Sequence, residues 1–430
     1  MIRNPLPLIF RAGREYVCQV AAFRPNARLY LLNVIVVGAA MGIFRLLFNF
    51  YVLSLGFDEG LLGSLVTVSS LTALAAALPM GYLADLLGRK GALLISGVLI
   101  AFAIVAMVLW PSATLLYAMN VVFGLAQSLS AVTMGPFLIE NSGEQERTYL
   151  FSFSSGLQMV AGSVGNWIGG DLPAWIAASR GVTATSSSAY GSALAVVAAV
   201  AGLGVLPLIF LRTPPLVRSE RSVFAPLKFA AQHPMTLITL LLPQLVISIG
   251  AGLIMPFMNL FFRQVHHQPD GVIGVLFAWG SLAMGLGLLI APPLADRMGK
   301  IQLVVVTQGL SIPFLILLGF SPWFWLSTVA YYVRVALMNM STPVYQTFVM
   351  EHVEAPARAT VASLASMAWN FGWVISPFIS GRLQMHYGFG PPFIGTIVLY
   401  TLAVVMLWLF FGRGDWVASL ETSAAPSAGE

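Results

Sequence analysis

Along the chain, long runs of apolar residues alternate with short breaks where charges, prolines and glycines collect. A helix needs about 20 mostly apolar residues to cross about 30 Å of hydrocarbon. Read against their breaks, the runs predict twelve spanning helices, at about 29–54, 61–83, 91–111, 113–140, 148–178, 188–211, 235–262, 271–294, 301–320, 323–350, 357–384 and 391–412. The predicted fold class is an all-α integral membrane protein. An even number of spans places both ends of the chain on one side.

The breaks have their own character. Residues 1–28 form a basic N-terminal segment, within which 5–24 reads as an interfacial helix, with Ile9, Phe10, Tyr16, Val17 and Val20 opposing Arg11 and Arg14. A basic arm without structure is the alternative. Residues 29–211 are a first six-helix half, 212–234 a basic linker, 235–412 a second half and 413–430 a disordered tail. The Ser/Thr-rich 179–192 reads as an exposed outer loop, and the first apolar patch (Leu6–Phe10) is too short for a cleavable signal peptide.

Composition agrees: 58% of the 430 residues are hydrophobic and 9% charged, against about 25% charge in a soluble domain. The net charge of +5 does not point to nucleic acid, because the positive residues sit in the hinges. Sixteen Lys and Arg fall on one face (Arg3, Arg11, Arg14, Arg24, Arg28, Arg89, Lys90, Arg147, Arg212, Arg218, Arg221, Lys228, Arg297, Lys300, Arg358, Arg413) and three on the other (Arg180, Arg263, Arg382). That bias predicts cytoplasmic termini in a cell (inner) membrane. Cys18 is the single cysteine, so disulfide chemistry within the chain is excluded.

Shifting the sequence by 211 superimposes its halves without gaps. Asp85 falls on Asp296 (296 − 85 = 211), Gly60 on Gly271, Gly63 on Gly274, Gly88 on Gly299, Pro111 on Pro322, Glu140 on Glu351, Arg147 on Arg358 and Gly170 on Gly381. Two six-span halves of like orientation constitute a parallel repeat. With this repeat and "GYLADLLGRK" (81–90) between spans 2 and 3, residues 29–412 resemble the major facilitator superfamily, whose signature there is G-x-L-x-D-x-x-G-[RK]-[RK]. The second copy departs at Pro292 and Ile301. The resemblance implies two pseudo-symmetric six-helix halves around a central cavity lined by spans 1, 4, 7 and 10, and transport by alternating access. Gly81 and Gly88, with Gly299 in the second copy, allow close helix approach and a tight turn, and the resemblance implies that Asp85, Arg89, Glu140 and Arg147, with Asp296, Glu351 and Arg358, form a charge network gating the cytoplasmic side. Ordinary solvated turn charges are the alternative.

None of the sixteen acidic residues and none of the five histidines lies mid-span; Arg45 and Arg334 do. Each lies roughly 10 residues from the outer end of its span, or about 16 Å deep at 1.5 Å per residue. Polar neighbours accompany them: Asn49 in span 1, Asn120 and Gln127 in span 4, Gln244 and Asn259 in span 7, Tyr345 in span 10. A guanidinium donates bidentately to carboxylate or phosphate, so the two arginines point to a solute with an anionic group. Bonding to carbonyls and water in a wet cavity, or snorkelling, is the alternative. Trp279, Trp369 and Trp373 are candidates for packing on an apolar part of the solute, while Trp110, Trp323, Trp325 and Trp408 suit interfacial belts.

The expected function is secondary, non-ATP transport of a small organic solute by a monomer in the lipid bilayer. Protons or a counter-anion are candidate coupling partners; no cofactor, metal or nucleic acid is expected. The alternative within the family is a proton-coupled multidrug or metabolite efflux antiporter, although "GNWIGG" (165–170) has Asn166 where efflux branches carry proline. An enzyme is disfavoured: there is no mid-span Ser–His or Asp pair and no nucleotide loop. A channel or receptor is the rival of another class.

Overall fold

The computed structural model describes residues 23–212, 234–353 and 358–411. The interfacial helix expected at 5–24, nearly all of the linker and the tail lie outside the described residues.

Local chemistry sets the helix limits. Helix α1 (Pro25–Ser54) starts on a proline, whose fixed φ and missing N–H suit a first turn. Helix α2 (Glu59–Leu109) runs through predicted spans 2 and 3, turned sharply at Gly88, where φ is 73°. Ser112 and Ser186 cap α3 (Ala113–Glu140) and α5 (Ser187–Leu203), each accepting a backbone N–H three residues on. Between them α4 (Glu144–Arg180) closes on Gly181, and the short α6 (Leu206–Ile209) follows α5.

The second half begins with α7 (Pro234–Ile254), a 3-10 turn (Met255–Phe257) and α8 (Met258–Gln264). Span 7, expected as one helix over 235–262, is therefore broken. Pro256 lacks the N–H that would continue α7, and the Asn259 side chain accepts from Leu260 N–H at 3.0 Å. Helices α9 (Asp270–Met298), α10 (Lys300–Phe320), α11 (Phe324–Glu351), α12 (Arg358–Tyr387) and α13 (Gly390–Phe411) complete the chain.

Eight helical stretches among the described residues are long and apolar enough to cross a membrane. Helices α4, α11 and α12, read as spans 5, 10 and 11, have the length but are less apolar, because polar residues such as Asn166, Arg334, Asn339 and Asn370 interrupt them.

The described residues fall into two units. Unit 1 holds 23–55, 75–212 and 270–278; unit 2 holds 56–74, 234–269 and 279–411, apart from 354–357. The units thus differ from the expected halves in two reciprocal segments. Within unit 1, α1 packs on α4 and α5; within unit 2, α7 packs on α12 and α13. These are matching helices of the repeat.

Small residues make the seams, as expected where helices associate without a hydrophobic driving force. In unit 1, Gly38, Gly42 and Gly165 let α1 and α4 meet backbone to backbone. Gly170 of α4 meets the start of α9: a Cβ on it would lie 2.7 Å from the Asp270 carbonyl oxygen and 3.1 Å from Gly274 Cα. Unit 2 repeats this contact, with Gly381 of α12 against Glu59 and Gly63 of α2, a Cβ on Gly381 falling 3.1 Å from Gly63 Cα. The pairs correspond under the 211 shift (63 + 211 = 274; 170 + 211 = 381).

Candidate functional site

The hinge motif is built on a backbone conformation that only glycine adopts easily. Gly88 (φ 73°) and its mirror Gly299 (φ 89°) both occupy positive φ. At the first corner Arg89 donates through Nη1 to Asp85 Oδ1 at 2.7 Å and through Nε to Glu140 Oε1 at 3.1 Å. At the second, Lys300 pairs with Glu351. The two bridges coincide under the same shift (89 + 211 = 300; 140 + 211 = 351). Lys90 donates to the carbonyls of Ile209 at 2.6 Å and Leu211 at 3.0 Å, tying the first corner to the end of α6.

The other motif residues sit less tightly. Gly81 has open space where its Cβ would stand, so the close helix approach read from the sequence is not seen there. Asp296 is exposed. Arg358 Nε donates to the Val353 carbonyl at 3.2 Å, and Arg147 Nε is buried without a hydrogen-bond partner among the described residues.

Mid-helix, the two arginines have opposite surroundings. From Gly42 to Val52 every residue of α1 is buried except Arg45, which is exposed. Earlier in the same helix Leu32 (51% exposed) and Ile35 (40%) form an outward stripe. With 3.6 residues per turn, Arg45 lies roughly 80–140° around the axis from that stripe. It therefore points in a different direction from that stripe, and no acidic partner for it is found among the described residues. Adjacent Phe44 stacks on Phe48 and meets Phe123 of α3 at 5.0 Å. One turn beyond Phe123, Gln127 is also exposed.

Arg334 is fully enclosed at 0% exposure. Its Nη2 donates to the Tyr400 hydroxyl at 3.2 Å, and its guanidinium carbon lies 5.5 Å from that ring's centroid. The two arginines, which the sequence expects at like depth, differ in access.

The remaining predicted contacts divide similarly. Asn49 (5%), Asn120 (3%), Asn259 (4%) and Tyr345 (6%) are buried. Asn120 donates to the Leu116 carbonyl of its own helix at 2.9 Å, whereas Tyr345 donates to the Leu240 carbonyl at 2.6 Å and ties α11 to α7. Gln244, Trp369 and Trp373 are half-buried, and Trp279 is 59% exposed. Unit 1 carries Arg45, Asn49, Asn120 and Gln127; unit 2 carries the rest.

Asn26 went unnoticed in the sequence. Its side chain bonds Asn141 at 2.9 Å, and the Arg212 carbonyl and N–H at 2.8 and 3.0 Å. An isolated asparagine near a basic cluster carries no spacing signal; these partners are remote in sequence.

A family model described as Major Facilitator Superfamily matches residues 30–243 and 240–426. The multidrug resistance protein MdtG of Dickeya zeae is 24% identical over 185 residues, covering 42% of this chain and 45% of that protein. MdtG of Enterobacter lignolyticus is 25% identical over 221 residues, covering 49% and 51%. The matched region spans about half the length of these curated relatives.

Among solved structures, the nucleoside transporter NupG is similar with a TM-score of 0.67 at 15% identity, covering 90% of this chain and 98% of that one. A bacterial homolog of the human lysosomal transporter Spinster, inward-facing and occupied, reaches 0.72 at 16% identity, covering 92% and 96%. A D-xylose-proton symporter reaches 0.68 at 16%, covering 92% and 98%. At such identity these likenesses are of fold.

Proposed function

The chain belongs to the major facilitator superfamily, and from that premise we propose that it moves a small organic solute bearing an anionic group, with Arg45 as the solute contact. It is a multi-pass membrane transporter and not an enzyme. The observation that carries the proposal is Arg45 itself: a permanent charge at mid-helix, accessible where its neighbours are buried, with no carboxylate among the described residues to receive it. Charge of that kind is costly in a membrane unless it serves a pathway or finds a counter-charge. Gln127 extends the same accessible region along α3, and the bridges Arg89–Glu140 and Lys300–Glu351 serve as gating contacts. The hinge charge bias and the bacterial relatives support an inner-membrane location with both termini in the cytoplasm.

The test is solute flux into proteoliposomes, screened over organic anions at two pH values. Losing a charge-assisted contact costs about 1.5–3 kcal/mol, or roughly 10- to 150-fold in affinity. Arg45→Gln should show that loss, and Arg45→Lys a smaller one. Unchanged affinity in Arg45→Gln defeats the reading.

A second reading, drug efflux, is favoured by the similarity to MdtG over about half the chain. Cationic and neutral drugs belong in the same screen, and their counterflow with no response to organic anions selects it.

A further inference from the structure

Arg334 needs a partner that no acidic residue among the described residues supplies. A guanidinium carries five N–H donors and stays charged in proteins. One of these reaches the Tyr400 hydroxyl; Nε and Nη1 are buried with no hydrogen-bond partner among the described residues. An unpaired charge taken out of water costs several kcal/mol even after relaxation. The nearest acid on α11 is Glu351, 17 residues away (351 − 334 = 17), or about 25 Å along the helix. The Tyr400 ring face offsets only part of this cost.

The surroundings set the kind of partner. Arg334 is 0% exposed and Tyr331, one turn before it, 8%. Phe262 closes on Tyr331 with ring centroids 5.8 Å apart, and a Cβ on Gly250 of α7 would fall 2.9 Å from the Tyr400 ring. Aromatic rings of α8, α11 and α13 therefore seal the charge from any bulky solute. Because the Tyr400 oxygen accepts from Arg334, its own O–H proton is left to donate elsewhere. The Nε–H and the Nη1–H lie on different edges of the guanidinium, so a small acceptor takes one of them, with the Tyr400 O–H as a second donor.

We propose that unit 2 encloses a monatomic anion, chloride under cellular conditions, at Arg334 and Tyr400. The anion is a resident counter-charge that completes the C-terminal bundle. It is separate from the solute contact at Arg45 and does not depend on that reading.

The test uses the full-length protein, purified in detergent and followed by thermal unfolding at fixed pH and ionic strength. Replacing chloride by gluconate should lower the melting temperature by several degrees, with bromide restoring it along a saturable curve. Arg45→Gln should keep this halide dependence and Arg334→Met should lose it. Tyr400→Phe, which keeps the ring and removes one donor, should shift the halide midpoint several-fold upward. Bromide-soaked crystals should give an anomalous peak within hydrogen-bond distance of Arg334. Equal melting in chloride and gluconate, as expected if water alone fills the donors, overturns the proposal. So does a halide response undiminished in Arg334→Met. Should Arg334→Met fail to fold, an unchanged midpoint in Tyr400→Phe overturns it instead.

Discussion

Replacing Gly274 with alanine adds one methyl group where two backbones already touch. The new Cβ would stand 2.5 Å from the Asn166 carbonyl oxygen and 2.9 Å from Gly170 Cα, whereas ordinary contact begins near 3.4 Å. Both obstacles are backbone of α4, so no rotamer change relieves them, and α9 must retreat by about 0.9 Å at its first turns. Overpacking of this kind costs up to about 3 kcal/mol. Alanine's helix propensity returns about 1 kcal/mol, leaving a net loss near 2 kcal/mol. For a chain of 430 residues, at an unfolding entropy of about 2.1 cal/mol/K per residue, that lowers the melting temperature by roughly 2 °C. Gly156→Ala is the control on the same helix α4: nothing lies within 4 Å of its added Cβ, so only the propensity gain applies and melting should hold or rise slightly. Thermal unfolding of the two purified variants beside wild type decides the matter. If Gly274→Ala melts with or above wild type, the close approach of α4 and α9 is not what this structure shows.

Two other substitutions probe charge. His266 is buried among Phe261, Phe262 and Phe324; burial, and then the neighbouring His267, lower its pKa below the ordinary 6.5. As pH drops below 6.5 the unfolded chain takes up a proton that the fold resists, so stability falls over that window. His266→Phe should flatten this part of the curve in denaturation from pH 7.5 to 5, and an unchanged slope would count against it. Lys300 and Glu351 are 35% and 51% exposed, so their bridge contributes less than about 1 kcal/mol. Glu351→Gln should barely move the melting temperature yet slow transport, with the exchange of both charges (Lys300→Glu, Glu351→Lys) restoring it. Normal kinetics in Glu351→Gln would remove this bridge from gating.

The parts of the fold legible in the sequence are those written as period or repetition. Apolar run length gives the spans, and the 211 register foretells that Gly88 and Gly299 form like corners and that Gly63 and Gly381 face each other as Gly274 and Gly170 do. What stayed hidden depends on rotation about a helix axis. Arg45 and Arg334 read alike in depth, yet one is open and the other sealed, because packing on neighbouring helices fixes which way a residue points. Pro256 also sat in plain view. A membrane helix tolerates proline as either a kink or a break, and here a 3-10 turn over Met255–Phe257 makes the break.

The reciprocal segments have a consequence for the order of biosynthesis. Unit 1 includes residues 270–278, made well after the sixth apolar run, so it stays incomplete when its own six spans have been translated. Residues 56–74 are made early, but their groove at Gly63 waits for Pro377 and Gly381 near the end of the chain. Neither unit can mature alone on the ribosome. The glycine face of α4 must be covered by lipid or by the insertion machinery until residues 270–278 are made, and that of α2 until translation is nearly finished. A truncated chain ending in the linker should therefore leave the face of α4 around Gly170 open to crosslinking, and the full chain should close it.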